Sequence, residues 1–319
     1  MNKILSLTFG VLVALTSCQK SSTGSSEGGD LVPVSVVATI EGSDSASRAY
    51  GDGTSINRCI VEVYTSSGTL FQRSIVAPSS NVANFELQLV SSQDYTFVLW
   101  ADNVEMVGET PTAAELEVDK HYTTTNGLKA ISMVSPSTYS GNDETKDAFF
   151  ATSEEQVETK ATEIDLTLKR PFGEVNVTTG LTGVTAEFIP STIKVSYSTE
   201  LYTALDASTG ELSSTQPLTW SGDVAGTYSV GDESLHLVTE YVFAPYVGDN
   251  NDKEILVFFE MEFYDANGTL ITTNDKFDSM PIKRNYRTNI TGELLTVQGT
   301  ITATIDPLFE NDDIDENIN

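Results

Sequence analysis

Apolar and polar residues alternate with a period of two along most of this chain, and the three-to-four spacing of an amphipathic helix is nowhere sustained. The pattern predicts strands at 31–40, 59–64, 69–76, 83–90 and 95–101, separated by clusters of Gly, Asn, Ser and Pro. Further strands are expected at 163–168, 173–178, 192–198, 241–246, 254–264, 269–273, 286–295 and 299–305. Pro33 lacks a ladder donor, which confines the strand at 31–40 to a sheet edge or puts the proline at a strand start. Val63-Tyr64-Thr65-Ser66-Ser67-Gly68-Thr69-Leu70 spells a hairpin, and Phe263-Tyr264-Asp265-Ala266-Asn267-Gly268-Thr269-Leu270 spells another like it. Regularity falls between 103 and 150, where Pro111, Pro136, Asn126-Gly127 and Gly141-Asn142-Asp143 predict long loops with one short helical turn at 112–117.

Short strands at regular spacing point to an all-β chain of two sandwiches in tandem, each core built from inward side chains of two facing sheets. A length of 319 residues suits that division. The expected domains are 31–164 and 165–319, the second ending in the acidic stretch 310–316.

The start of the chain breaks the pattern. Met1-Asn2-Lys3 is positive, 4–15 is apolar, and Leu15-Thr16-Ser17-Cys18 closes the run with small residues before a cysteine. This reads as a lipoprotein signal peptide over 1–17, with Cys18 carrying the acyl chains, palmitate among them. The run falls short of the roughly 20 apolar residues a spanning helix needs, so the protein is expected to be anchored rather than threaded. Gln19 stands where an aspartate would favour the inner membrane, which leaves the outer membrane as the expected site. Residues 18–30 are a Ser- and Gly-rich tether. Residues 41–54 form a small, polar, Gly-rich loop whose single basic residue is Arg48, the kind of segment a protease enters.

Charge narrows the partners. A formal net charge of −29 repels phosphate backbones and anionic headgroups, which excludes nucleic acid and limits membrane attachment to the lipid on Cys18. A 39% hydrophobic content with 14 Phe and 12 Tyr speaks for a folded core rather than an acidic disordered tail. With Cys18 given to lipid, Cys59 is alone and reads as a small buried apolar residue. His121 and His236 lie far apart, adjacent acids such as Glu154-Glu155 carry no catalytic spacing, and Asp249-Asn250-Asn251-Asp252 lacks the ligand pattern of an EF-hand. No catalytic residue, metal site or cofactor is therefore expected. Trp100 reads as core, whereas Trp220 would suit stacking on a sugar ring and keeps a non-catalytic, glycan-binding surface lipoprotein as the alternative.

Several strings share a source. The lipobox, Ser47-Arg48-Ala49-Tyr50-Gly51-Asp52-Gly53, Tyr95-Thr96-Phe97-Val98-Leu99-Trp100-Ala101-Asp102, Asp147-Ala148-Phe149-Phe150-Ala151, Leu168-Lys169-Arg170-Pro171-Phe172-Gly173-Glu174-Val175-Asn176-Val177 and Pro281-Ile282-Lys283-Arg284-Asn285-Tyr286-Arg287-Thr288-Asn289-Ile290-Thr291-Gly292 resemble the fimbrillin-like lipoproteins of Bacteroidota. The resemblance implies two transthyretin-like (Ig-like) sandwiches and a subunit, accessory or anchor role in type V pili, surface fimbriae that serve cell adhesion. It implies that an arginine-specific protease removes a first strand and that other fimbrial subunits exchange strands through the opened groove. Here 31–48 would be the removable leader, Arg48 and Ala49 would flank the cut, and 299–305 or the tail after it would be the donor. Asp44-Ser45-Ala46 and Asp278-Ser279-Met280 resemble short O-glycosylation signals of these bacteria and make Ser45 and Ser279 candidate glycan acceptors.

Overall fold

The computed structural model describes residues 29–41, 51–246, 254–296, 301–306 and 316–317. Strands dominate it. The first half carries β1 (Leu31–Ile40), β2 (Arg58–Thr65), β3 (Leu70–Val76), β4 (Val82–Val90), β5 (Gln93–Asp102), β6 (Tyr122–Thr123), β7 (Ile131–Met133), β8 (Phe149–Val157) and β9 (Thr162–Leu168). The second carries β10 (Phe172–Gly180), β11 (Thr192–Tyr197), β12 (Leu201–Asp206), β13 (Glu211–Gln216), β14 (Thr219–Asp223), β15 (Ser234–Phe243), β16 (Ile255–Tyr264), β17 (Leu270–Ile282), β18 (Arg287–Gly292), β19 (Ile301–Asp306) and β20 (Glu316–Asn317). The expected helical turn is a 3-10 turn at Glu115–Glu117, closed reciprocally: Glu115 N–H donates to Thr112 Oγ1 and Thr112 N–H to Glu115 Oε2.

Both hairpins form, and by the same chemistry. Gly68 and Gly268 hold φ of 79° and 77° and donate their N–H groups to Thr65 O and Asp265 O.

Five sheets result, ordered β4-β1-β9, β3-β2-β5-β8, β13-β12-β7-β6, β14-β11-β16-β17 and β15-β10-β18-β19-β20. The first two enclose a core of Val34, Val36, Cys59, Val61, Phe85, Leu87, Phe97 and Leu99. The last two enclose a second core around Val177, Val195, Trp220, Phe259, Met261 and Phe277. A third apolar cluster joins residues from both halves, with Trp100, Tyr122, Phe172, Tyr241 and Phe243 in edge-on and tilted ring contacts of 4.5–6.1 Å. Strand β12 also reaches across, pairing Ala204 with Ser132 and Leu205 with Ile131.

This middle layer explains why β2 is not the half-buried strand its sequence suggests. Cys59, Val61 and Val63 face the first core while Ile60 and Tyr64 face the third cluster, so both sides are covered. Buried charge at its start is paired: Arg58 Nε and Nη2 reach Asp102 at 2.7 Å each, and Nη1 reaches Asp119 at 3.0 Å. Strand β9 spans position 164/165 and belongs wholly to the β1 sheet.

Candidate functional site: the channel filled by β1

β1 lies inside its sheet. It runs antiparallel to β4, from Leu31 opposite Val90 to Thr39 opposite Val82, and parallel to β9, from Val34 beside Thr162 to Ile40 beside Leu168. The edge placement expected from Pro33 is thus corrected, and the strand-start reading explains how. The ladder to β9 begins only at Val34, so the donor that Pro33 lacks falls where β9 has not yet started.

Side-chain alternation fills the channel in one row. Val32, Val34, Val36, Ala38 and Ile40 are buried against Phe85, Leu87, Leu89, Ile164 and Leu168, while Thr39 is exposed and Ser35 Oγ reaches Glu86 Oε1 at 3.4 Å on the outer face. Four branched side chains and one methyl, at Ala38, therefore define the shape of the row.

The far end of β1 is polar. Glu41 N–H donates to Leu168 O at 3.2 Å, its carbonyl accepts from Arg170 Nη1 at 3.5 Å, and its carboxylate accepts from Asn285 Nδ2 at 3.3 Å. Arg170 in turn grips Asp147 with Nε and Nη2 at 2.7 and 2.5 Å, and its guanidinium lies 4.2 Å over the Phe149 ring. Asn285, at φ 62°, accepts the Arg170 N–H at 3.1 Å and donates its own to Phe172 O at 2.7 Å.

Beyond the 42–50 segment the chain returns to the same cluster. Gly51 N–H donates to both oxygens of Glu144, at 2.9 and 3.1 Å, and Tyr241 OH donates to Glu144 at 2.8 Å. Gly51 sits at φ 77°, and a Cβ there would collide with the Glu174 carboxylate, which is itself held by Arg287 Nε at 2.8 Å. Burial, with the Asp147 carboxylate nearby, pushes Glu144 up to about 8.

Cys18, Ser45, Arg48 and Ala49 lie outside the described residues. Ser279 is exposed on β17 at φ 58°. Cys59 is buried in the first core, where burial pushes its thiol well above the usual range. Trp220 is buried as well, its indole N–H donating to Glu240 Oε1, whose partner oxygen accepts from Tyr197 OH. It offers no flat aromatic platform to a sugar, which removes the feature that supported glycan binding. Among the described residues, no group of three or more His, Cys, Asp or Glu side chains is arranged to hold a metal ion.

Glu41, Gly51, Glu144, Asp147, Arg170, Glu174, Asn285 and Arg287 were not singled out as site residues. Part of their signal lay in plain sight: Asp147 precedes Ala148-Phe149-Phe150, Arg170 precedes Pro171-Phe172, and Glu174 stands between Phe172-Gly173 and Val175, charges beside apolar residues, which only burial with a partner makes tolerable.

A family model described as a family of unknown function, DUF6562, matches residues 28–319. No curated protein matches the sequence. Among solved structures, a candidate polysaccharide-binding protein from Bacteroides thetaiotaomicron is 11% identical at a TM-score of 0.49, covering 90% of this chain and 98% of its own. A fimbrial assembly protein from Parabacteroides distasonis is 13% identical at 0.45, covering 90% and 100%. The fimbrial anchor protein Mfa2 from Porphyromonas gingivalis is 11% identical at 0.44, covering 86% and 98%. The structural neighbours thus include fimbrial proteins of Bacteroidota, the class that the sequence strings resemble.

Proposed function

This chain belongs to DUF6562, a family of unknown function, and we propose that it is a non-catalytic structural subunit, anchor or accessory protein of cell-surface fimbriae, assembled by protease-triggered strand exchange. One observation carries the reading: β1 is an interior strand with its whole apolar row buried, and the chain leaves it toward the rest of the fold only through the 42–50 segment. A cut between Arg48 and Ala49 severs β1 from everything it packs against. Its departure opens unpaired backbone groups on β4 and β9 and five apolar sites between them, which another subunit's strand can fill. Before the cut, covalent attachment gives β1 an effective concentration that no incoming strand matches.

The sheets β4-β1-β9 and β3-β2-β5-β8 make the first of two tandem transthyretin-like sandwiches, and those containing β10, β11 and β15–β19 make the second. The division proposed between them, 31–164 and 165–319, falls within β9, which pairs with β1. The partners are an arginine-specific protease, other fimbrial subunits and the outer membrane, held through lipid on Cys18. Ser45 and Ser279 are the proposed glycan acceptors, and exposure on a positive-φ bulge leaves Ser279 accessible.

The test is intact mass and native gel analysis of the precursor before and after limited treatment with an arginine-specific protease. A single cut after Arg48 followed by SDS-resistant ladders is expected. Cleavage without oligomers, or normal maturation and assembly of an Arg48→Ala chain in cells, would sink the proposal.

A further inference from the structure

The chain enters its first strand through an apolar patch. Leu31, Leu70 and Phe71 are 60%, 46% and 42% exposed, and they gather at one end of the sheets β4-β1-β9 and β3-β2-β5-β8. Leu31 is the Cα partner of Val90, the Val90 N–H donates to Tyr95 OH at 3.2 Å, and the Tyr95 ring meets Phe71 edge-on at 5.5 Å between centroids. Leu70, next to Phe71, is the Cα partner of Tyr64. We propose that this end of the first sandwich rests on the lipid bilayer, its three apolar side chains set among zwitterionic headgroups, so that β1 stands up from the membrane. The proposal rests on the lipid-anchored reading above and adds a contact surface and an orientation.

Three observations select a bilayer as the occupant. The first is position. Cys18, the proposed lipid site, precedes Leu31 by 13 residues, a length that reaches about 45 Å at most, so the Leu31 end of β1 is the end held near the anchor. The second is charge. In a chain with 46 acidic residues against 17 basic ones, the turns at this end, Thr65-Ser66-Ser67-Gly68-Thr69 and Ser91-Ser92, carry none, and the 158–161 turn holds Glu158 and Lys160 as a pair at 3.1 Å. Asp30 and Asp94, exposed beside the patch, suit the ammonium groups of zwitterionic lipids, whereas the net charge of −29 repels an anionic surface. The third is satisfied backbone. Gly68 N–H donates to Thr65 O, Ser91 N–H to Asp30 O at 2.9 Å and Ser92 N–H to Val157 O at 2.6 Å, so these turns enter the headgroup layer with those donors already paired.

Three side chains bind a bilayer weakly by themselves. The acyl chains supply the attachment, and the patch sets how the fold stands on it. Upright on this end, the ten residues of β1 rise about 3.3 Å each and lift Ile40 about 30 Å from the membrane. Glu41 and the Arg170 and Asn285 side chains that hold it then face water, at a height open to a soluble protease.

Fluorescence quenching in vesicles reads the orientation. The acylated full-length chain, purified from cell membranes, is placed in phosphatidylcholine vesicles with a fluorophore at Ser66→Cys or at Thr39→Cys. Ser66 is exposed in the hairpin beside the patch, and Thr39 is exposed near the opposite end of β1. Native Cys59 is buried and stays unlabelled. A nitroxide on the lipid headgroup is expected to quench the Ser66 probe at least threefold more than the Thr39 probe, and iodide in the water to show the reverse order. Leu31→Ser, Leu70→Ser and Phe71→Ser together are expected to keep the far-UV spectrum and flotation with vesicles while abolishing that difference. Equal headgroup quenching at the two sites, or a difference that survives the triple change, overturns the inference and leaves the lipid anchor standing. A Ser66 probe already shielded from iodide in the absence of vesicles gives the patch to a second copy and overturns it too. A chain that carries no acyl mass on Cys18 and does not float with vesicles overturns both.

Discussion

Asp147 and Arg170 form a two-bond ion pair in which neither side chain touches solvent. The pair stands at the end of the β1 channel, and through the Glu41 carbonyl the same guanidinium touches the strand that fills it. Removing one partner strands the other as a buried charge. Arg170→Met should therefore cost about 3–5 kcal/mol in urea unfolding, while the double change with Asp147→Leu should recover most of that loss. A loss under about 1 kcal/mol for the single change would show that the pair is not holding this joint.

Stability should fall as pH rises through neutrality. Burial pushes Glu240 up to about 7 and Glu144 up to about 8, both from an ordinary 4.5. Between 4.5 and those values the folded protein holds protons that the unfolded chain has released, so rising pH favours unfolding. Burial pushes His121 down to about 4, which acts in the opposite sense, but only below its ordinary 6.5. Burial also pushes Lys146 down to about 8 from an ordinary 10.5, which opposes the fall from about pH 7.5 upward, so the clean window is about pH 6.5 to 7.5, over which unfolding free energy should drop by roughly 1–2 kcal/mol. Glu144→Gln should flatten the slope above pH 7, and an unchanged slope would dissociate Glu144 from it.

Val36→Ala deletes two buried methyl groups from the centre of β1. The expected cost is about 2 kcal/mol, transfer and cavity together. Because the loss loosens the strand that covers Cys59, reaction of that thiol with an aromatic disulfide reagent should quicken in native buffer. Wild-type protein should react only on unfolding.

Trp220→Phe takes away the indole N–H that Glu240 accepts and should cost about 1–3 kcal/mol, with no effect on retention by polysaccharide affinity gels. Saturable glycan binding that this change abolishes would revive the carbohydrate-binding alternative.

Strands that line one core were readable because one of their faces meets water. The strands β1, β4 and β16 alternate cleanly, and their expected bounds differ from the observed ones by a residue at most. The strand β8 was missed because its outer half, Thr152-Ser153-Glu154-Glu155-Gln156, is polar on both sides, as suits the last strand of its sheet. β12, β13 and β14 are only five or six residues long, β13 and β14 carry Ser and Thr where a core strand would be apolar, and only the pairing of β12 with β7, β13 with β12 and β14 with β11 gives them a place. β17 runs through to Ile282 past the expected end at 273, because bulges against β16 break the period of two. The channel itself was half legible. The leader strand stood out by its alternation, whereas the cluster at its end needs residues 41, 144, 170 and 285 side by side, a proximity that no local spacing encodes.

The covering of β2 and β5 on both faces sets how the two halves can vary. In β4 every second position, Asn84, Glu86 and Gln88, points to water and can drift freely, so a substitution scan across it would read as a comb. From Arg58 to Tyr64, and again from Phe97 to Asp102, no position is free, and the same scan would read as a solid bar. Those two bars divide the molecule into an interior that must be inherited intact and a periphery open to change.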